Sequence, residues 1–219
     1  MVFTATSFLK SLQGYMDHVV FRVILAALLI GFVAHRGFYT RKVQHSAASV
    51  LQQPKPGRAT HIANLLALPA LLSTVIYVIA PAWISWSAFP LPLWLRWLGV
   101  GVALGGFALL EWAQQSLGKN WSDAPRLVAD QAMVVSGPYR WIRHPIYAAF
   151  LLILGSLLLI SANWFIGGLW IGMTGLDVAA RIRIEEGMMI DQFGEGYRAY
   201  MRRTGRLFPR LVKWEGTET

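Results

Sequence analysis

The feature that most constrains this chain is a series of apolar runs, most of them long enough to cross about 30 Å of hydrocarbon, which takes about 20 helical residues. The first runs from His18 to about Ala34 and holds one charge, Arg22. The second, about Ile62 to Trp86, holds none, although Pro69 and Pro81 are placed to kink or end it. The third covers about Leu91 to Leu117, with Arg96 near one end and Glu111 near the other. A shorter fourth runs from Ile146 to Ile160, and the fifth, Trp164 to about Ala180, follows after only Ser161, Ala162 and Asn163. A gap that short folds the last two helices into an antiparallel hairpin. Pro145 marks the start of helix four, because a first-turn proline has no needed N–H to lose.

The predicted fold is therefore all-α, a polytopic membrane protein with about five transmembrane helices. Residues 1–117 supply three of them. Residues 118–219 form a second unit: a connection, the hairpin 146–180 and a C-terminal helical segment. Nothing in residues 1–17 resembles a short basic signal region, and no small-residue cleavage site follows Ala34, so the first helix is expected to be retained.

Composition agrees with this reading. Hydrophobic residues make up 55% of the chain and charged ones only 14%, against about 25% charged in soluble domains. That balance argues against a soluble enzyme, a disordered tail or a nucleic-acid arm. The net charge of +9 would point to nucleic acid in a soluble domain. Here the placement of the basic residues explains it. Arg36, Arg41, Lys42, Lys55 and Arg58 follow helix one, and Lys119, Arg126, Arg140 and Arg143 follow helix three. Arg181, Arg183, Arg198, Arg202, Arg203, Arg206, Arg210 and Lys213 follow helix five. Seventeen of the twenty Lys and Arg thus fall on one side of a five-helix arrangement. The positive-inside rule then predicts an outside N-terminus and a cytoplasmic C-terminus, with no nucleic-acid partner. The Ala-, Leu-, Trp- and Arg-rich composition with short loops points to a bacterial or archaeal cytoplasmic membrane. Ten Trp fit two membrane interfaces. With no Cys there is no disulfide, cysteine nucleophile or thiolate metal site, and no metal is expected.

Three clusters carry chemistry. The run from Gly137 to Tyr147 places Arg140, Arg143, His144 and the aromatics Tyr139, Trp141 and Tyr147 at the start of helix four. Unpaired N–H groups and partial positive charge there suit an anionic or carbonyl-bearing ligand; a plainer reading is an interfacial belt of snorkelling Arg and aromatics. Asp177, Arg181 and Glu185 recur every four residues and share one helical face. Their spacing suits either an ion-pair stripe or a site, with an Arg fork for a carboxylate or phosphate and a Glu for an ammonium or ribose hydroxyls. Asp177 lies deepest in the apolar stretch, where ionisable groups usually face a cavity or a partner. Finally, Phe193, Tyr197, Tyr200 and Met201 alternate with Arg in Glu186 to Pro209. That pattern favours a basic amphipathic helix on the membrane surface over a segment folded back as a lid.

The run Gly137-Pro138-Tyr139-Arg140, then Arg143-His144-Pro145 with Tyr147, Arg181 with Glu185-Glu186, Phe193-Gly194-Glu195 with Tyr197 and Tyr200, and Leu207-Phe208-Pro209 resembles the isoprenylcysteine carboxyl methyltransferase family, which is related to phospholipid N-methyltransferases. The likeness covers roughly residues 118–211. It implies an integral membrane enzyme that transfers a methyl group from S-adenosylmethionine, with the cofactor enclosed by the connection before the hairpin and the C-terminal segment. The family's cofactor positions fall on Gln131, Ala132, Met133, Val134, Tyr139, His144, Pro145, Ile146, Tyr147 and Glu185. Arg181 holds the place associated with the methyl acceptor. Gln131 stands where family members often have a histidine.

The acceptor implied is lipophilic, foremost the carboxylate of an isoprenylcysteine-like or isoprenoid compound, which Arg181 would orient without a general base. A phospholipid amine or a small thiol are the alternatives, and for these Asp177 or Glu186 would matter as proton acceptors. More distant readings are a sterol-reductase-like NADPH enzyme and a non-catalytic membrane subunit whose basic tail docks to anionic lipid. Membrane lipid is the expected surrounding partner, and no oligomeric state is implied.

Overall fold

The computed structural model describes residues 5–44, 50–52, 57–118, 127–128 and 133–210, and the side chains of residues 16–41, 57–118 and 133–210. Among the described residues seven α-helices follow in order: α1 (Ala5–Gln44), α2 (Arg58–Ile79), α3 (Leu93–Leu117), α4 (Pro145–Gly155), α5 (Leu157–Ser161), α6 (Trp164–Phe193) and α7 (Glu195–Arg203). Pro81–Ser87 and Gly137–Arg140 form 3-10 turns. Among the described residues the only sheet is a two-strand antiparallel ribbon, β1 (Val50–Gln52) with β2 (Leu127–Val128).

The all-α polytopic expectation holds, with one refinement of the helix count. Met16–Arg41, Arg58–Ile79, Leu93–Leu117 and Trp164–Phe193 are each long and apolar enough to cross a membrane. The expected fourth crossing is a shorter apolar stretch, Pro145–Ser161, divided between α4 and α5. At about 1.5 Å per residue it reaches only about 25 Å. The break falls at Ser156, whose hydroxyl donates to the Ile153 carbonyl at 2.7 Å; such back-bonding competes with the helical ladder and bends helices. Other boundaries differ for local reasons. With no proline between Ala34 and Gln44, α1 continues ten residues past its expected end. Pro69 sits inside α2 without ending it, and Pro81 opens the 3-10 turn that follows.

The hairpin forms as expected. Pro145 is the first residue of α4, Ala162 takes the left-handed conformation (φ 48°), and the Asn163 side chain caps α6 by accepting the Ile166 N–H at 3.0 Å. Small residues let α3 lie close against the α4–α5 pair. A Cβ added at Gly106 would stand 2.7 Å from Ile153 Cγ1, and one at Gly99 2.8 Å from Leu159 Cβ. Close backbone approach of this kind replaces the missing hydrophobic drive between helices in lipid. Leu25, Leu110, Ala149, Ile153, Leu157, Ile160 and Ile166 fill the centre. Trp170 on α6 donates its indole N–H to Thr74 Oγ1 on α2 at 3.0 Å. Outward-facing Ile30, Val33, Leu65 and Ile79 are more than half exposed, as lipid-facing residues of a spanning bundle are.

The ends of α1, α3 and α6 and the start of α4 share one face, which carries most of the described basic residues and is called the basic face here. Trp112 and Trp141 meet there with ring centroids 5.7 Å apart. At the opposite face Trp86 packs on Trp164 at 5.4 Å, and Trp83 and Trp94 are exposed.

Candidate active site at the start of α4

The site is assembled from three pieces of chain at the basic face. The 3-10 turn Gly137–Arg140 leads into α4, the last turns of α6 lie beside it, and the chain after α7 closes over both. The closure is made by backbone. Ile142 bridges to Gly205 in parallel, the Arg143 N–H donates to Gly205 O at 2.8 Å, and the His144 N–H donates to Arg206 O at 3.0 Å. Gly205 in turn donates to Trp141 O at 3.1 Å. A side chain at Gly205 would collide with the Phe208 carbonyl, so the tight return of this segment requires glycine.

The fold-back of α7 corrects the surface-helix expectation. Tyr197 is buried, Tyr200 donates to the backbone carbonyl of Tyr139 at 2.6 Å, and Arg143 donates to Met201 O at 3.1 Å and also to Thr204 O. The apolar side of α7 finds protein instead of lipid, and its Arg198 and Arg202 stay exposed beside Glu195. Burial pushes the Tyr200 hydroxyl up to about 12, against the lowering pull of Arg143, so it stays a proton donor.

Glu186, which the sequence offered only as a proton acceptor for an amine or thiol substrate, is a structural hub. Its carboxylate is 5% exposed and accepts from Arg143 Nε at 3.0 Å and from Arg206 Nη2 at 2.5 Å, with Arg206 Nε at 3.0 Å. The two guanidiniums come from either side, one from the segment before α4 and one from the chain after α7. Glu186 therefore ties the closing segment down. Arg206 was missed as a site residue; its one signal was its place directly before Leu207-Phe208-Pro209.

Of the predicted site residues, four converge. Tyr147, in the first turn of α4, donates its hydroxyl to Glu185 Oε1. His144 Nδ1 lies 3.5 Å from Glu185 Oε2, and its Nε2 lies 3.5 Å from Glu186 Oε1. The His144 and Tyr147 rings stack at 5.7 Å. Burial would hold His144 neutral, yet the two carboxylates override it and raise its pKa above 6.5. Arg181, one turn before Glu185, donates Nε to Asp177 Oδ2 at 2.8 Å. Thus the predicted stripe divides: Asp177 and Arg181 pair, and Glu185 turns to Tyr147 and His144. Tyr147 lies within electrostatic reach of Asp177, Arg181 and Glu185 together.

The remaining predicted positions behave differently. Tyr139 is buried, and burial with the Glu185 charge drives its hydroxyl far above 10. Pro145 is fully buried at the first position of α4, and Ile146 is partly buried and packs against the central core. Met133 and Val134 are half-buried in the approach to the 3-10 turn. Gln131 and Ala132 lie outside the described residues.

The arrangement offers a hydroxyl, an imidazole, two carboxylates of different character and the first N–H groups of α4. Glu186 is neutralised by two arginines, whereas Glu185 keeps acceptor capacity beyond Tyr147. Such a set suits a ligand that carries both cationic and anionic groups.

Residues 98–191 match the model of the isoprenylcysteine carboxyl methyltransferase (ICMT) family. The chain is 25% identical over 174 residues to methanethiol S-methyltransferase of Pseudomonas deceptionensis, covering 69% of this chain and 64% of that protein. It is 24% identical to protein-S-isoprenylcysteine O-methyltransferase of Tribolium castaneum, covering 90% of this chain and 79% of that protein. The match thus spans a little under two thirds of the methanethiol relative. A solved eukaryotic intramembrane Ras methyltransferase ICMT shares the fold, with a TM-score of 0.54 at 22% identity over 70% of this chain and 54% of that one.

Proposed function

We propose, from the match of residues 98–191 to the isoprenylcysteine carboxyl methyltransferase family, that this chain is a member of that family and an integral membrane methyltransferase using S-adenosylmethionine. The observation that carries the reading is the convergence of Tyr147, His144 and Glu185 at the start of α4, beneath a closing segment latched by Glu186.

The donor set fits the cofactor's mixed charge. Glu185 accepts the ammonium or the ribose hydroxyls, since one of its oxygens faces only His144 at 3.5 Å. His144, drawn toward its charged form by its carboxylates, and the first N–H groups of α4 favour the cofactor's carboxylate. The faces of Tyr139 and Tyr147 favour its sulfonium. Met133 and Val134, half-buried in the approach to the 3-10 turn, supply the connection's side of the site. The bound cofactor supplies an electrophilic methyl group.

The chain's own part is positioning and exclusion of water. Transfer is an in-line displacement, so holding the reactants aligned is worth more than proton chemistry. Segment 204–206, closing over Arg143 and His144, keeps water from the reacting centre. Arg181 holds the acceptor one helical turn from Glu185. The basic face is cytoplasmic, by the positive-inside rule, and the host membrane is that of a prokaryotic cell.

Titration of S-adenosylmethionine into detergent-solubilised protein tests the reading. Saturable binding is expected, with Arg181→Ala retaining it and losing turnover on a native membrane extract. Binding of NADPH in place of S-adenosylmethionine would overturn the assignment.

A further inference from the structure

The chain after α7 carries a large apolar side chain outward: Phe208 is 75% exposed. Backbone pairing fixes the depth of its segment. Gly205 and Arg206 bond to residues 141–144, the stretch just before the apolar run of α4. The closing segment therefore lies level with the point where α4 enters hydrocarbon. The Phe208 carbonyl folds back against Gly205, and the two residues of chain from Arg206 to Phe208 span at most about 7 Å, so Phe208 stays near that level. Trp112 and Trp141 meet there, both partly exposed, and tryptophans at the ends of spanning helices mark the membrane boundary. Cations surround these rings. The Arg140 guanidinium lies 4.7 Å over the Trp141 ring, and Arg203, Arg206 and Arg210 are exposed. From Gly196 to Arg210 the chain holds five arginines and no acidic residue. Among the described residues the bonds of Arg206 use Nε and Nη2 only, both to Glu186, and its side chain is 55% exposed.

We propose that residues 206–210 form a strap seated on the membrane surface at the basic face, with Phe208 in the interfacial zone and Arg140, Arg206 and Arg210 on the phosphates of anionic lipid headgroups. Anionic lipid is the occupant that the charge selects, because a run of arginines without acids is attracted to an anionic leaflet. An apolar ring beside arginines is also the composition of an interfacial anchor. The helix α7 itself keeps its apolar side on protein; the chain beyond it meets lipid. The seat acts on the closure. Arg206 bridges a headgroup phosphate and Glu186 at once, so the lipid holds the segment down instead of drawing it away. The bonds protected in this way are those of the Arg143, His144 and Gly205 amides. The inference goes beyond methyl transfer: it makes the surrounding lipid a regulator of access to the start of α4.

The test uses the full chain in nanodiscs of phosphatidylcholine, alone or with about one third phosphatidylglycerol. The chain has no cysteine, so Phe208→Cys carries a spin label at a single position. The label is expected to collide with oxygen more often than with a water-soluble nickel chelate, as a membrane-seated group does. Hydrogen exchange at the Arg143, His144 and Gly205 amides is expected to slow at least about fivefold with phosphatidylglycerol, the reach of one basic residue at an anionic surface. The double substitution Phe208→Ser, Arg210→Gln is expected to abolish that slowing with the unfolding temperature nearly unmoved. A label that meets the nickel chelate in both bilayers, or equal wild-type exchange in both, would overturn the proposal. Slowing by polyglutamate but not by phosphatidylglycerol would also overturn it, and would assign the patch to an acidic protein. If a variant does not fold, wild-type exchange in the two bilayers decides alone. On the methyl-transfer reading the anionic bilayer also slows S-adenosylmethionine release; a wild type that binds no S-adenosylmethionine would count against that reading, while label depth and amide exchange still decide the strap.

Discussion

At the face opposite the site, Arg96 is 4% exposed and every part of its guanidinium is used. Nε and Nη2 donate to the Ile160 carbonyl at 3.1 and 2.8 Å, Nη2 also to the Tyr77 hydroxyl at 3.2 Å, and the planar group lies 4.0 Å over the Phe21 ring. Ser87 and Asn163 lock the neighbouring turn, with Ser87 donating to Asn163 Oδ1 at 3.0 Å and Asn163 to Ile84 O at 3.0 Å. At the basic face the polar groups are just as numerous but not closed on themselves. Among the described residues Asp177 Oδ1, Thr174 Oγ1 and His144 Nε2 have no hydrogen-bond partner, and Glu185 meets His144 at 3.5 Å. A polar cluster that consumes its own bonding capacity holds helices together. One that leaves capacity over is built to receive something, because orphaned buried polar groups are costly to keep.

Four substitutions or conditions would break or sharpen that contrast. The largest effect is expected for Glu186→Ala, which strips the shared partner from Arg143 and Arg206; removing one side of a buried ion pair costs about 3–5 kcal/mol, read as a lowered unfolding temperature in detergent. Arg206 is half exposed and can turn to water, so the low end of that range is expected. Next, Arg96→Leu should cost about 1–3 kcal/mol by leaving the Ile160 carbonyl and Tyr77 hydroxyl unpaired, while S-adenosylmethionine affinity stays unchanged; a coincident loss of affinity would erase the distinction between the two faces. Glu185→Ala should do the reverse, weakening cofactor binding at least about tenfold, equivalent to about 1.4 kcal/mol, with the unfolding temperature nearly unmoved.

The smallest effect is expected from pH. His144 has a pKa raised above 6.5 by Glu185 and Glu186. Its stabilising contact is therefore fully present below pH 6.5 and is lost as the pH climbs through the raised value. The wild type should lose stability over that interval, and His144→Gln should flatten the slope. A stability that rises there would reverse the sign of the His144 interaction.

Much of this was legible in the chain. The apolar runs announced the spans, because hydrocarbon thickness dictates helix length independently of neighbours. Pro145 and the three-residue gap before Trp164 announced the hairpin, since both act through local backbone geometry. The spacing of Asp177, Arg181 and Glu185 announced one helical face. Sequence did not reveal how that face is divided. Three charges at equal spacing look alike, and only the arrival of Tyr147 and His144 from α4 draws Glu185 away from Arg181. Nor did the α7 pattern disclose its partner. Tyr197 and Tyr200 alternating with arginines suit a lipid surface as well as a protein one, and the choice was made by Arg143, Thr204 and Tyr139, distant in the chain.

What the sequence determined by itself was the set of properties that depend on one segment at a time: apolar length, turn chemistry, helical phase and the crowding of basic residues at one end. The tertiary structure decided the properties that belong to pairs. It halved the fourth crossing at Ser156, closed residues 204–206 over the start of α4 through backbone bonds, made Glu186 a latch between two arginines, and left Asp177 with one bound oxygen and one open. Those outcomes depend on which groups meet in a medium without water to substitute for a missing partner, and that is a property of the packed bundle.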